Sequence, residues 1–326
     1  MKILIVRLTA LGDIIHSATV LEFIKREKPD IQIDWLIEES FKAILEDNIY
    51  LDNIYSVNLK SLKRDRSFQN IRNIYSKLKD ISKNRYDLVI DMQGLIKSSI
   101  VSTIISNKIH GYSYRSGKEG VSSFLYKTKT FSNYSENKIL RNIKLVNDAL
   151  DLKISKQDIL NKKPHLFYSD TNFSANQKTI FVVGSTMFQK NYPKEKFLQL
   201  AEKLKRDITI IWGDLKERNI ATSLSEQSKY ISLAPKMNLN QLKYYISTAK
   251  LVIGNDTGPT HLAWAMNIPS ITLFGLTPVE QAFETDINLI LKSETKVNHH
   301  KIDKNDLSIR DIKVEDIIKK IDLYHL

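Results

Sequence analysis

The chain has 326 residues, enough for two domains of ordinary size, with 42% apolar and 26% charged residues, the balance of a soluble globular fold. It has no cysteine, which excludes disulfides, thiolate metal sites and a cysteine nucleophile, and no apolar run approaches the roughly 20 residues of a membrane-spanning helix. Lys and Arg total 49 against 37 Asp and Glu, a formal charge of +12, and the surplus is local: positions 97–144 hold nine basic residues and two acidic ones, and Lys60, Lys63, Arg64 and Arg66 form a second cluster. The first half of the chain is therefore expected to turn a positive face to an anionic partner.

In chain order, residues 2–7 read as a buried strand, followed by a glycine-containing loop and a helix from about Asp13. Arg7 and Asp13 interrupt what would otherwise resemble an export signal, so the expected location is cytoplasmic. Residues 31–37 and 53–57 read as strands. Residues 68–83 carry Ile71, Ile74, Tyr75 and Leu78 at helical spacing. A strand at 86–92 and a helix at 95–106 follow. The stretch 151–177 is polar, holds Pro164, lacks periodicity and reads as a linker. Beyond it the alternation restarts, with strands at 179–184, 208–212, 251–254 and 270–274 and helices at 194–205, 240–247 and 260–266. An amphipathic helix at 314–323 closes the chain with Ile317, Ile318 and Ile321. Strands alternating with helices predict an α/β protein of two doubly wound, Rossmann-like domains with a ligand cleft between them.

Three loops at strand ends can carry chemistry. In Gly254-Asn255-Asp256-Thr257-Gly258-Pro259-Thr260-His261, a strand enters a turn and Pro259 begins a helix. Free amides and the positive helix end there make an anion site; His261, one turn into the helix, can touch a phosphate, though a lone helical histidine is more often structural. The ordinary alternative is a helix capped by Asp256 or Thr257. Asp13, after Gly12 at the first strand's end, can accept a proton from a sugar hydroxyl; its alternative is also a helix cap. In the third loop Lys190 can neutralise a diphosphate leaving group while Ser185 and Thr186 hydrogen-bond it, and Glu217, past the next strand, can bind a ribose hydroxyl pair. Surface solvation is the plainer reading of Lys190 and Glu217. There is no Asp-x-Asp, HExxH, Walker, G-x-G-x-x-G or G-x-S-x-G motif, so no metal site and no nicotinamide site is expected.

Taken in order, residues 2–7 with Leu11-Gly12-Asp13-Ile14-Ile15-His16, Asp34-Trp35-Leu36-Ile37-Glu38-Glu39, Asp91-Met92-Gln93-Gly94-Leu95-Ile96-Lys97-Ser98, Pro235-Lys236-Met237 and Asp256-Thr257-Gly258 with His261 resemble the lipopolysaccharide heptosyltransferases of glycosyltransferase family 9. The Asp-x-Gln-Gly-Leu-x-Lys-Ser run and the Gly-Asp-x-x-His turn favour the type I branch, heptosyltransferase I, over type II. The resemblance implies a GT-B fold, with an acceptor domain over residues 1–155, a nucleotide-sugar domain over 156–310 and a helix at 311–326 packing back on the first domain. It implies inverting transfer of L-glycero-D-manno-heptose from ADP-heptose to a Kdo residue of Kdo-lipid A. No cofactor or metal is required, and the enzyme works at the cytoplasmic face of an anionic inner membrane. On the family pattern Asp13 is the general base. Lys190 and the Thr257–Gly258 amides stabilise the departing ADP, Met237 packs near adenine and Glu217 near ribose. Lys60, Lys63, Arg64 and Lys118 meet the Kdo carboxylates and lipid A phosphates.

The chain departs from the pattern at Leu8-Thr9-Ala10, where small hydroxyl residues are usual, and at Lys60, Lys63 and Lys118, where arginines are usual; Ser61 breaks the basic run. Lysine lacks the bidentate fork of arginine. The rival readings are heptosyltransferase II or another family 9 transferase with a different acceptor, and a non-catalytic basic protein adsorbed on anionic lipid. Few aromatics interleave the basic run beyond Tyr112, Tyr114, Phe124 and Tyr126, so no nucleic-acid partner is expected.

Overall fold

A computed structural model describes residues 1–169 and 177–326, and the chain divides into two compact units, Met1–Phe167 and Tyr168–Leu326. The first unit contains β1 (Lys2–Val6), α1 (Leu11–Ala18), α2 (Val20–Glu27), β2 (Gln32–Glu38), β3 (Asn53–Val57), α3 (Phe68–Ser82) and β4 (Leu88–Asp91). It continues with α4 (Ile96–Ile105), β5 (Ile109–Tyr112), β6 (Thr128–Thr130), α5 (Lys138–Leu150) and α6 (Lys156–Leu160). Its six strands are all parallel, in the order β3-β2-β1-β4-β5-β6. Central β1 pairs on both edges and is buried on both faces from Ile3 to Val6, which is why its sequence is a continuous apolar run. Leu4, Val6, Leu36, Val89 and Ile109 pack with Leu78 and Ile81 of α3 and with Val101 and Ile105 of α4. Helices α1 and α2 instead pack against α5.

The second unit repeats the plan with β7 (Thr179–Val182), α7 (Lys194–Leu204), β8 (Ile208–Ile211), α8 (Leu215–Gln227), β9 (Ile231–Leu233) and α9 (Leu239–Ser247). Then come β10 (Leu251–Asn255), α10 (Gly258–Ala265), β11 (Ser270–Phe274), β12 (Asn288–Lys292) and α11 (Val314–Leu323). Its strands are again parallel, ordered β12-β11-β10-β7-β8-β9. Two six-stranded parallel sheets with helices bear out the expected α/β class.

Two expectations about boundaries change. Residues 151–169 are not a structureless linker, and residues 156–167, expected in the second domain, belong to the first unit. Ser155 and Asp158 cap α6 reciprocally, Leu152, Ile154, Ile159 and Leu166 are buried, and buried His165 Nε2 lies 3.1 Å from Thr19 Oγ1 and 3.2 Å from Ile15 O. The remaining positions of that stretch, 170–176, lie outside the described residues. The closing helix, expected on the first domain, packs on α7 of its own unit, where Val314, Ile317 and Ile321 join the core.

Candidate functional site

In a doubly wound parallel sheet every strand ends on the same edge, and ligands gather where successive connections leave in opposite directions. In the first unit that point lies between β1 and β4, and two loops there are knitted together. Gln93 Oε1 accepts the amide of Leu8 at 2.8 Å, and Gln93 Nε2 donates to Thr9 Oγ1 at 3.2 Å. Lys97 Nζ reaches the same hydroxyl at 3.2 Å. Asp91 organises the β4 loop: it accepts from the amides of Gln93 (2.9 Å) and Gly94 (3.1 Å) and from the hydroxyls of Ser98 and Tyr126 (both 2.8 Å). Its burial pushes its carboxyl up, against those hydrogen bonds.

Asp13 is the third residue of α1 rather than its cap. One carboxylate oxygen lies 2.7 Å from Arg7 Nη2 and the other is in contact with Lys138 Nζ; the 3.4 Å approach to the Ala10 amide is long for a hydrogen bond. Arg7 is itself anchored by Nη1 donating to Met92 O at 2.5 Å. Burial alone raises the Asp13 carboxyl, but the charges of Lys138 and Arg7 outweigh it and hold the group far below the usual carboxylate range. A quarter of the side chain (26%) stays exposed, so this ionised carboxylate remains accessible as a base.

The basic residues expected at the acceptor site are distributed around this edge. Glu38, at the end of β2, accepts the amides of Leu59 (3.2 Å) and Lys60 (3.4 Å) and so fixes the 3₁₀ turn Leu59–Lys63. Lys60 Nζ donates to Ser40 Oγ at 2.8 Å and sits 4.3 Å over the Phe41 ring. Lys63 and Arg64 project into solvent. Lys118 is exposed on the turn before Glu119, which accepts the first amide of α4, Ile96 N, at 2.7 Å. Burial lowers the Lys97 ammonium; Lys63 and Lys60 lower it further, while Glu38 and Glu119 act the other way.

In the second unit the corresponding point lies between β7 and β10. Buried Asp256 lies 2.5 Å from Lys190 Nζ, and it accepts from His261 Nε2 (2.8 Å) and Thr277 Oγ1 (2.9 Å). Burial pushes its carboxyl up, yet the Lys190 charge and the His261 contact outweigh that and hold it well below the ordinary range. Thr257 occupies the N-cap position of α10 without a side-chain cap, and Thr260 Oγ1 donates backward to Asn255 O at 2.8 Å. Neither capping alternative therefore occupies the amide end of the helix. With Pro259 lacking an N–H, the amides of Gly258 and Thr260 form the positive end of α10.

Ser185 lies 2.7 Å from both Met187 O and Asn191 Oδ1, so its hydroxyl closes its own loop, while neighbouring Thr186 is exposed. Glu217, in the first turn of α8 behind cap residue Asp214, accepts the Gly213 amide at 2.6 Å, and burial raises its carboxyl. Met237 is half-buried in the loop after β9. Along one sheet edge the order is thus Thr277, Asp256 with Lys190, Ser185, Glu217 and Met237, following strand order β11-β10-β7-β8-β9.

The structure adds residues to which no role was given from the sequence. Asn255 is fully buried; its Oδ1 accepts Tyr192 N at 2.9 Å and its Nδ2 donates to Val183 O at 3.0 Å, which ties the Lys190 loop to β10. Gly184 lies so close to Glu217 that a Cβ would fall 2.0 Å from Oε1. Lys138 is 125 positions from Asp13, and no local pattern announces such a pairing.

The family model for glycosyltransferase family 9 (heptosyltransferase) matches residues 74–306. A Campylobacter coli lipopolysaccharide heptosyltransferase 1 is 39% identical over 98% of both chains. The chain belongs to glycosyltransferase family 9. The Escherichia coli K12 heptosyltransferase 1 is 27% identical over 85% of this chain and 88% of its own. In fold, this family 9 chain is similar to E. coli heptosyltransferase WaaC with ADP, at a TM-score of 0.83 and 23% identity over 99% of this chain and 100% of that one. It is also similar to E. coli ADP-heptose lps heptosyltransferase II, at a TM-score of 0.73 and 16% identity over 99% and 98%.

Proposed function

We propose that this family 9 heptosyltransferase moves L-glycero-D-manno-heptose from ADP-heptose to a Kdo hydroxyl of Kdo-lipid A, with inversion and without a metal. It works on the cytoplasmic leaflet of the inner membrane, which it touches peripherally. The observation that carries the reading is Asp13, a carboxylate kept ionised by Arg7 and Lys138 and still accessible at the switch point of the first sheet. Type 1 relatives support the acceptor: identity reaches 39% with one of them against 24% with the type 3 enzyme of E. coli K12.

In the proposed reaction Asp13 takes the proton of the acceptor hydroxyl as its oxygen bonds to the anomeric carbon. The bond from that carbon to the β-phosphate oxygen breaks, and ADP leaves with the electron pair. Lys190 and the amides at the start of α10 neutralise the charge that develops on the phosphate. Asp256 holds the lysine there, 2.5 Å from its carboxylate. Glu217 and Met237 bind ribose and adenine, and Lys60, Lys63, Arg64 and Lys118 bind acceptor anions.

The test is transfer from ADP-heptose to Kdo-lipid A with chelator present, comparing the natural protein with Asp13→Asn. The natural protein should form product, while the variant binds ADP-heptose and loses about 10²–10⁴-fold in turnover. Product formed only with added metal, or undiminished turnover in the variant, overturns the mechanism. No product from folded protein that accepts another nucleotide sugar overturns the donor.

A further inference from the structure

Helix α3 carries two apolar stripes, and the core uses only one. Ile74, Leu78 and Ile81 face the first unit's core. Phe68, Ile71 and Tyr75 form a flanking stripe at the i, i+3, i+7 spacing, and all three are exposed, Phe68 at 79% and Ile71 at 50%. Neighbouring elements also expose apolar side chains. Helix α4 packs beside α3 and exposes Ile100 at 49%; the 3₁₀ turn Gly120–Leu125 packs beside α4 and exposes Phe124 at 75%. A monomeric soluble surface scatters such residues singly and seldom gathers them on three adjoining elements.

The rim of this face is cationic. Arg64, Arg66, Arg72, Lys97 and Lys127 are all exposed on or beside the same elements. Helices α3 and α4 both begin at the carboxyl edge of the sheet, the edge that carries Asp13, so the apolar first turns and the acceptor cations share one end of the unit.

We propose that the α3–α4 face, with Phe68 and Phe124 as its leading side chains, is the surface that seats this protein on an anionic lipid bilayer. Aromatic and aliphatic tips enter the headgroup boundary while the surrounding guanidinium and ammonium groups meet lipid phosphates. A second copy of the chain fits poorly, because a two-fold pairing of this face would set one cationic rim against the other. The assignment of the face rests on its surface chemistry. Only its use, presenting the acceptor edge to a lipid-borne sugar, rests on the proposed transfer reaction.

The experiment is co-sedimentation of the full chain with vesicles of phosphatidylethanolamine containing about a third phosphatidylglycerol, and with phosphatidylcholine vesicles, at low and high salt. Phe68→Ser/Phe124→Ser is compared with Leu323→Ser, a control on the exposed side of α11, after melting curves show that each is folded. The natural protein and the control should partition onto the anionic vesicles and be released by salt, and the double variant should bind roughly tenfold more weakly. The double variant should keep its transfer rate on detergent-dispersed acceptor. Equal binding by the double variant overturns the assignment of this face while leaving membrane contact standing. No vesicle binding by the natural protein overturns both and leaves the transfer reaction untouched. A concentration-dependent dimer that the double variant abolishes, with no vesicle binding, overturns the bilayer in favour of a second copy.

Discussion

Replacing Lys138 by methionine keeps most of the side chain's packing and removes one of the two charges on Asp13. A unit charge roughly 4 Å from another is worth about 4 kcal/mol at an effective dielectric near 20. Both side chains are about a quarter exposed (24% and 26%). Solvent screening therefore reduces the figure to about 1–2 kcal/mol, or about one unit of pH. In the natural protein Asp13 stays ionised well into acid, because Lys138 and Arg7 outweigh the effect of burial. In Lys138→Met alone the carboxyl should rise by about one unit and still titrate below the range of about pH 4 to 8 in which kcat/KM is measured. Adding Arg7→Met leaves only the weaker effect of His16 against burial and should bring the acid limb into that range, above the ordinary carboxylate value. Stability follows the same sign: a depressed carboxyl contributes above its unfolded pKa and loses that contribution as pH falls through its folded pKa. The natural protein should thus be more stable than Lys138→Met at neutral pH, and the gap should close in acid. A double variant whose pH profile superimposes on that of Arg7→Met alone, with only a uniform drop in rate, would refute Lys138 as a group that sets the charge of Asp13.

Gly184→Ala places a Cβ within 2.0–2.4 Å of three Glu217 atoms, so the glutamate must leave the Gly213 amide. ADP binding measured by calorimetry should weaken by about tenfold, with the melting temperature little changed. Asn255→Ala strands the Tyr192 amide and the Val183 carbonyl, and thermal unfolding should report a loss of about 2–4 kcal/mol in the second unit. Ile317→Ala opens a cavity under α11 at a fully buried position, and denaturant unfolding should show about 2–5 kcal/mol lost with catalysis unimpaired in the folded fraction.

What the sequence showed and hid follows from the range of the interactions. Central strands such as β1 and β10 are legible because a strand buried on both faces must be apolar throughout, and the carboxyl-edge loops follow from strand order alone. Edge strand β6 is Thr-Lys-Thr, with two of its three residues exposed, and carries no such signal. In α3, Ile71 and Tyr75 fit a core-facing pattern, yet both lie on the exposed flank, because periodicity gives a face and not what covers it. Residues 151–169 look like a linker because the helix behind the local Ser155 capping box is only five residues long and His165 is buried by contacts with Thr19 and Ile15, far away in the chain. The same holds within the site. Asp13 stands out by position, whereas Lys138, which holds it, comes from a helix that begins 125 residues later. Asn255 lies inside a conspicuous Gly-Asn-Asp-Thr-Gly run, but only the folded chain shows that its amide ties two loops together.

The two switch points use one device to opposite ends. Each holds a carboxylate at a sheet's carboxyl edge and keeps it ionised with nearby basic groups. In the first unit two permanent cations, Arg7 and Lys138, surround one carboxylate, which leaves a surplus of positive charge beside a base. In the proposed reaction such a surplus would attract an anionic sugar and weaken Asp13 as a base, so that proton transfer would lag behind bond formation to the anomeric carbon. In the second unit a single lysine faces Asp256, which nearly cancels its charge, and the remaining attraction for an anion comes from the start of α10 and from whatever part of Lys190 a phosphate can reach. A phosphate arriving there competes with Asp256 for the same ammonium. On the proposed role of Lys190, leaving-group stabilisation would be greatest when charge has built up on the phosphate, in the transition state and product, and smaller for the intact donor, the differential binding that raises turnover.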